Sequence, residues 1–217
     1  QQAVLVSMEP AVPGDPWTFQ AVECGLNWTA AAVGDFDRSG TPDIVASRWL
    51  VDPDDESGQA FALASGLDFR VGAGDGSFAR SSIPTSGPVL WLTAGDFDGD
   101  LVRDVGYVQV DEGVVDAQSP SGFAGRGLDA VYAVFGRTFG GFEAPAKLGT
   151  LPRVGQLISG RFSGGDSTSD MLILSAHSDA SDPDTDLLGF ALVGGNPNRQ
   201  LTSPFTLTLG GTPPRPT

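Results

Sequence analysis

Ala32-Val33-Gly34-Asp35-Phe36-Asp37-Arg38-Ser39-Gly40-Thr41-Pro42-Asp43-Ile44-Val45 is the stretch on which the reading of the fold turns. It returns 61 residues later as Thr93-Ala94-Gly95-Asp96-Phe97-Asp98-Gly99-Asp100-Leu101-Val102-Arg103-Asp104-Val105. A weaker third copy, 65 residues further on, reads Ile158-Ser159-Gly160-Arg161-Phe162-Ser163-Gly164-Gly165-Asp166 and ends in Asp170-Met171-Leu172-Ile173. A second element follows each copy: Phe69-Arg70-Val71-Gly72-Ala73-Gly74-Asp75-Gly76-Ser77-Phe78, then Val134-Phe135-Gly136-Arg137-Thr138-Phe139-Gly140-Gly141-Phe142, then Leu192-Val193-Gly194-Gly195-Asn196. Two linked elements recurring in one order define a structural repeat.

Each repeat divides into four short strands. The expected spans are 29–35, 43–50, 67–72 and 79–84 in the first, 89–96, 104–110, 129–136 and 142–148 in the second, and 155–162, 170–177, 187–193 and 203–209 in the third. Runs such as Asp43-Ile44-Val45-Ala46-Ser47 and Asp129-Ala130-Val131-Tyr132-Ala133-Val134-Phe135 are apolar and β-prone, and Gly74-Asp75-Gly76 signals a hairpin. Four antiparallel strands per repeat make one blade of a β-propeller, so the fold class expected is all-β. Val4-Leu5-Val6-Ser7-Met8 and Trp17-Thr18-Phe19-Gln20-Ala21-Val22 read as the last two strands of a further blade. The expected organisation is a partial blade over 1–26, blades over 27–88 and 89–154, a degenerate blade over 155–209, and a Pro-rich tail or linker over 210–217. Three and a half blades do not close a ring of the usual four to eight, so further blades or other protein chains are expected to complete it. The polar segments 51–60, 111–128 and 178–186 are the expected variable loops, where partner contacts sit.

The Asp spacing carries chemistry. Asp35, Asp37, Ser39 and Asp43 stand at positions 1, 3, 5 and 9 of a nine-residue loop, and Thr41 offers its carbonyl at position 7. Calcium takes six to eight oxygens at about 2.3–2.6 Å, and alternate side chains converge on one point when the backbone curls round it. Asp96, Asp98, Asp100 and Asp104 repeat the set with four carboxylates. Leu101 stands at position 6, where Gly40 stands in the first loop, and is expected in a strained left-handed conformation. Arg161 replaces the first acid of the third loop, which is expected to hold no ion. The bland alternative is that these Asp and Gly residues only turn hairpins; two loops with acids at both ends, in register with a repeat, favour a cation.

Composition narrows the classes. With 27 acidic and 12 basic residues the formal charge is −15, which disfavours nucleic acid as a partner. No apolar run approaches the length of a membrane span. Cys24 is the only cysteine, so an intrachain disulfide is excluded. Gln1-Gln2 is compatible with a mature N-terminus, and Asn27-Trp28-Thr29 is a glycosylation sequon. Trp17, Trp28, Trp49 and Trp91 are candidates for stacking on sugars, although tryptophan in strands more often packs in a core. His177, the single histidine, has no second histidine for zinc and no Gly-x-Ser-x-Gly elbow, so no enzyme is expected and no catalytic residue is assigned.

The Gly-Asp-Phe-Asp segments at 34–37 and 95–98, with their following loops and Gly72-Ala73-Gly74-Asp75-Gly76-Ser77-Phe78, resemble the FG-GAP and VCBS repeat family, the blades of integrin α-subunit heads and of many secreted bacterial proteins. The likeness runs over roughly 27–209 and weakens after 150. It implies a propeller, a secreted or cell-surface location, and calcium at Asp35, Asp37, Ser39, Thr41 and Asp43 and at Asp96, Asp98, Asp100, Val102 (backbone) and Asp104. The family implies no single activity. The function expected is therefore a secreted calcium-binding module for adhesion, recognition or structural assembly. Glycan binding and an accessory role beside a secreted hydrolase are the alternatives.

Overall fold

The computed structural model describes residues 3–8, 18–23, 28–51, 61–63, 65–110, 128–138, 140–152, 154–163, 167–179, 182–198 and 205–208. They form strands with no helix among them: β1 (Ala3–Met8), β2 (Thr18–Glu23), β3 (Trp28–Gly34), β4 (Asp43–Val51), β5 (Phe61–Leu63), β6 (Ser65–Gly72), β7 (Phe78–Gly95), β8 (Asp104–Val110), β9 (Leu128–Val134), β10 (Ala146–Pro152), β11 (Val154–Gly160), β12 (Asp170–Asp179), β13 (Asp182–Val193) and β14 (Phe205–Thr208). The fold is all-β, and every pairing is antiparallel. β1 pairs with β2 alone, as the expected pair of strands at the start of the chain. Among the described residues no sheet closes on itself.

The repeat appears as three four-stranded units. Unit 1 is β3-β4-β6 and the first half of β7, with β5 added at the far end of β4. Unit 2 is the second half of β7 followed by β8-β9-β10, and unit 3 is β11-β12-β13-β14. The expected break between 84 and 89 is absent. β7 runs unbroken for 18 residues, pairing Phe78–Ile83 with β6 and Val89–Gly95 with β8. Pro84 and Pro88 hold φ near the extended range, so the four residues between the expected strands stay extended and units 1 and 2 share one sheet ladder.

Three further expectations are corrected. The last strand of unit 2 lies at 146–152, later than 142–148, because Phe142 joins Gly136 in an isolated bridge and Glu143 donates its backbone N–H to Phe135 (2.9 Å). The segment 178–186 is largely strand, since β12 and β13 pair from Met171↔Val193 out to Asp179↔Asp182. β13 is correspondingly longer than 187–193. The other two expected loops fall mostly on residues outside those described, as do Trp17, Cys24, Asn27, the tail at 210–217 and the side chains of Trp28, Trp49 and His177.

The core lies between units. One cluster joins Phe36, Val45, Leu67, Phe69 and Ile83 of unit 1 to Leu92, Val105, Tyr107 and Val134 of unit 2. The other joins Phe97, Val108, Val131 and Ala133 of unit 2 to Leu157, Met171, Ile173, Ala191 and Val193 of unit 3. Unit 2 is thus covered on both faces, which explains why Val105-Gly106-Tyr107-Val108 is a continuous buried run and not an alternating one. Trp91 belongs to this core: it packs on the second cluster and donates Nε1–H to the Val154 carbonyl at 3.1 Å.

Candidate metal centres

Each Asp-rich loop joins the first two strands of a unit, β3 to β4 and β7 to β8. In the first, Asp35, Asp37 and Asp43 each place an oxygen within 4.8 Å of the others; in the second, Asp96, Asp98 and Asp104 do the same. Two oxygens on opposite sides of one calcium ion are at most about 5 Å apart, so the spacing suits ligands of a shared cation. Asp100 stands outside the mutually close trio but adjoins it: burial first, then Asp98 and Asp96, push its carboxyl above the usual range.

Position 1 organises the loop from inside. Asp35 accepts the backbone N–H of Ser39 (3.0 Å) and Gly40 (2.9 Å), and Asp96 accepts those of Gly99 (2.7 Å) and Leu101 (3.2 Å). Asp37 receives the N–H of Ser39, as Asp98 receives that of Asp100. Ser39 Oγ shares a hydrogen bond with Thr41 Oγ1, which donates to the Gly72 carbonyl. Val102, expected to offer only its backbone carbonyl, has a fully buried side chain.

Both loops place positions 4 and 6 in the left-handed region, with the glycine exchanged between them. Loop 1 has Arg38 at φ 59° and Gly40 at 83°; loop 2 has Gly99 at 76° and Leu101 at 68°. The left-handed conformation costs an L-residue about 1–2 kcal/mol, and Leu101 is 68% exposed, so its side chain returns little of that by packing. Leu101→Gly should therefore match or exceed the wild-type stability in thermal unfolding, by up to about 1 kcal/mol once glycine's greater unfolded-state freedom is counted. A clear loss of stability would mean that the Leu101 side chain does something the loop geometry does not reveal.

Position 9 does what sequence spacing did not disclose. In all three units the carboxylate that closes the loop, at position 9 in the first two and one residue later, at Asp170, in the third, ties two distant backbone segments together. One oxygen of Asp43 accepts the N–H of Phe36 (2.9 Å) and the other that of Gly72 (2.8 Å). Asp104 bridges Phe97 (2.7 Å) and Gly136 (2.9 Å) in the same way, and Asp170 bridges Phe162 (2.7 Å) and Gly195 (3.0 Å). The clamp fixes the loop to the end of the third strand, and its glycine partner recurs in the second sequence element. A Cβ on Gly72, Gly136 or Gly195 would run into the carbonyl of Pro42, Arg103 or Ser169, the residue just before the clamping Asp.

Electrostatics separate the third loop from the first two. Burial raises Asp43, and Asp37 and Asp35 add repulsion that its two N–H donors only partly offset. Burial likewise pushes Asp104 to about 7, with Asp98 and Asp100 contributing against the donors Gly136 and Phe97. Asp170 is also opposed by burial, yet the Ser163 N–H, the Gly195 N–H and the Ser163 hydroxyl outweigh it and hold the carboxyl below its usual range. Ser163 is at position 3, where Asp37 and Asp98 stand, and its Oγ donates to both Asp170 oxygens (3.0 and 2.9 Å). Loop 3 thus satisfies its buried carboxylate with protein donors, while loops 1 and 2 crowd carboxylates that call for a proton or a cation.

The loops also join the units. Arg103 N–H donates to the Asp35 carbonyl (3.2 Å), and the equivalent Ser169 N–H donates to the Asp96 carbonyl (2.6 Å). Asn196 N–H reaches the Phe97 carbonyl (2.9 Å) beside it. Both acidic loops therefore lie on seams between units.

No family model matches the chain, and no curated protein matches it.

Proposed function

We propose that the chain is a calcium-binding module of FG-GAP-like blades, belonging to a β-propeller completed by further blades, in which calcium neutralises the loops and stiffens the seams of an extracellular recognition or assembly surface. One observation carries the reading. Two equivalent loops each gather three carboxylates within 4.8 Å, while the third copy, which lacks acids at positions 1 and 3, replaces the charge balance with Ser163. Calcium fits the donor set because the clustered groups are carboxylate oxygens, with no histidine or cysteine in either cluster among the described residues. The stacked four-stranded units support the propeller part of the reading, and the acidic surface suits a partner of opposite charge or one that shares calcium.

Titration calorimetry of chelator-treated protein with calcium tests this. Two sites per chain are expected. Asp98→Asn is expected to leave one, because it removes a position-3 ligand while sparing the clamp at Asp104. Wild-type protein that takes up no calcium at millimolar concentration ends the proposal.

A further inference from the structure

The last strands of the three units differ in what their outer edges offer. β10 of unit 2 carries Lys147 and a register shift between Lys147 and Gly149, and β14 of unit 3 is only four residues long. A lysine, a bulge and brevity each blunt a sheet edge against a further strand. The first half of β7, which ends unit 1, is regular: its register with β6 runs unbroken from Phe78↔Gly72 to Ile83↔Leu67. Ala79, Arg80, Ser81 and Ser82 are exposed, and among the described residues only β6 pairs with Phe78–Ile83. The single charge on this strip, Arg80, is turned inward across the sheet, its Nε donating to Asp68 on β6 at 3.1 Å. Pro84, which has no N–H, ends the strip.

A hollow flanks the strip on each face. On one, a bulge at Gly66 (φ 130°) adjoins a pocket of about 220 Å³ bordered by Asp68, Arg80, Ser82 and Pro84. Asp68 is 4% exposed and holds two cations: Arg70 donates Nε and Nη2 to one oxygen (3.2 and 3.1 Å), and Arg80 donates Nε to the other. Arg80 makes no other hydrogen bond among the described residues, which leaves its Nη1 and Nη2 edge open to a planar acceptor. Two guanidinium groups on one carboxylate make this spot locally positive on a chain of net charge −15. On the other face, Ser81 and Ile83 line a cleft of about 250 Å³ with Pro145 and with Phe69 and Phe142, whose ring centroids are 4.9 Å apart.

The repeat itself does not call for the ion triad. Asp68 stands four residues before the clamped Gly72, and the same count from Gly136 and Gly195 reaches Tyr132 and Ala191. We propose that Phe78–Ile83 is a docking edge for an extended peptide of a partner protein, which adds as a strand beside β7. Side chains alternate across a strand, so the pattern is apolar–acid–apolar: the acid meets Arg80, and its two neighbours turn into the Phe69–Phe142 cleft. Strand pairing supplies the backbone bonds, and the two hollows supply the selection. The peptide carries one acid and not a run of them, because a run would be repelled by the net charge of −15.

Amide chemical shifts of the whole chelator-treated chain, titrated with the acetylated and amidated peptide Thr-Val-Glu-Val-Thr, test this. The shifts should centre on Ala79–Ile83 and Phe142, with a Kd on the order of 0.1–1 mM, since a short flexible peptide loses freedom on binding. Replacing its Glu by Gln should weaken binding about fivefold or more. The permuted peptide Val-Thr-Glu-Thr-Val, with the apolar residues moved away from the acid, should bind equally poorly. On Arg80→Gln protein the Glu and Gln peptides should bind alike, a coupling that locates the acid on Arg80. The Arg80 side chain is 56% exposed, so this variant should melt within about 3 °C of wild type. Only alternate N–H groups of an added strand face its neighbour. N-methylation of Glu and N-methylation of the two Val should therefore differ, one abolishing binding and the other sparing it. A strip without shifts at millimolar peptide, equal binding of the three unmethylated peptides to wild type, or indifference to both methylation patterns overturns the proposal. The inference stands apart from the calcium reading: calorimetry that finds no calcium leaves it in place, and a silent strip leaves the calcium reading in place.

Discussion

Gly136→Ala should destabilise the protein by about 4 kcal/mol or more, enough to use up most of a stability at the low end of the usual range. The added Cβ would stand 2.5 Å from the Arg103 carbonyl oxygen, 2.7 Å from Val102 Cγ1 and 3.1 Å from the Phe36 carbonyl oxygen. Two of these are backbone atoms, which cannot rotate away, and Val102 is fully buried. Relief requires moving β9 off the loop, which lengthens the 2.9 Å bond from Gly136 to Asp104 and disturbs the seam at Phe36. Gly141→Ala is the control. Gly141 has φ 87° and open space around its missing side chain, so it should cost about 1–2 kcal/mol from backbone conformation alone. Urea unfolding of the two variants separates the effects; equal costs would show that the tight approach at Gly136 is not what holds the clamp.

Asp170→Ala should cost about 3–5 kcal/mol, and the loss should be the same with and without calcium. The carboxylate accepts from Phe162 N–H, Ser163 N–H, Ser163 Oγ and Gly195 N–H, and removing a buried acceptor charges the desolvation of each stranded donor to the folded state. Asp104→Asn removes one charge and turns an amide N–H₂ toward a backbone donor, at about 2–4 kcal/mol. Here the deficit should grow when calcium is added, because the variant also lacks a carboxylate of the proposed calcium site. Thermal unfolding of both variants in chelator and in calcium reads the difference. A calcium-dependent deficit in Asp170→Ala would place an ion in the third loop and contradict its reading as self-satisfied.

The repeat was legible because the first two copies carry Gly-Asp-Phe and the third Gly-Arg-Phe at the same strand junction, and alternation of strand and turn follows from it. Leu101's left-handed backbone was legible too, since Gly40 marked the position. Other features depended on contacts made far along the chain. Nothing in Asp43, Asp104 or Asp170 distinguishes a ligand from a clamp until Gly72, Gly136 and Gly195 are brought against them from 25 to 32 residues away. The continuity of β7 was hidden by Pro84 and Pro88, which read as breaks but sit comfortably in extended backbone. Ser163 was passed over as a missing acid, although a hydroxyl that donates does for Asp170 what a cation would do for Asp43 and Asp104.

The central claim is that buried carboxylates in two loops await a cation, and melting temperature against pH in chelator and in calcium tests it most directly. Asp104 is raised from 3.8 to about 7 in the folded protein. Its protonation thus favours the fold fully below about pH 4, and that contribution disappears as pH rises to about 7. Asp43 is displaced in the same direction, and Asp170 in the opposite one, acting only at lower pH. In chelator, stability should fall by about 2–3 kcal/mol between pH 5 and pH 7, then level off. In calcium the ion replaces the proton, so the fall should vanish and the neutral-pH melting temperature should rise by about 10–20 °C when two sites are filled at a hundred times their dissociation constant. Superimposable melting curves in chelator and in calcium at pH 7.5 would contradict the account.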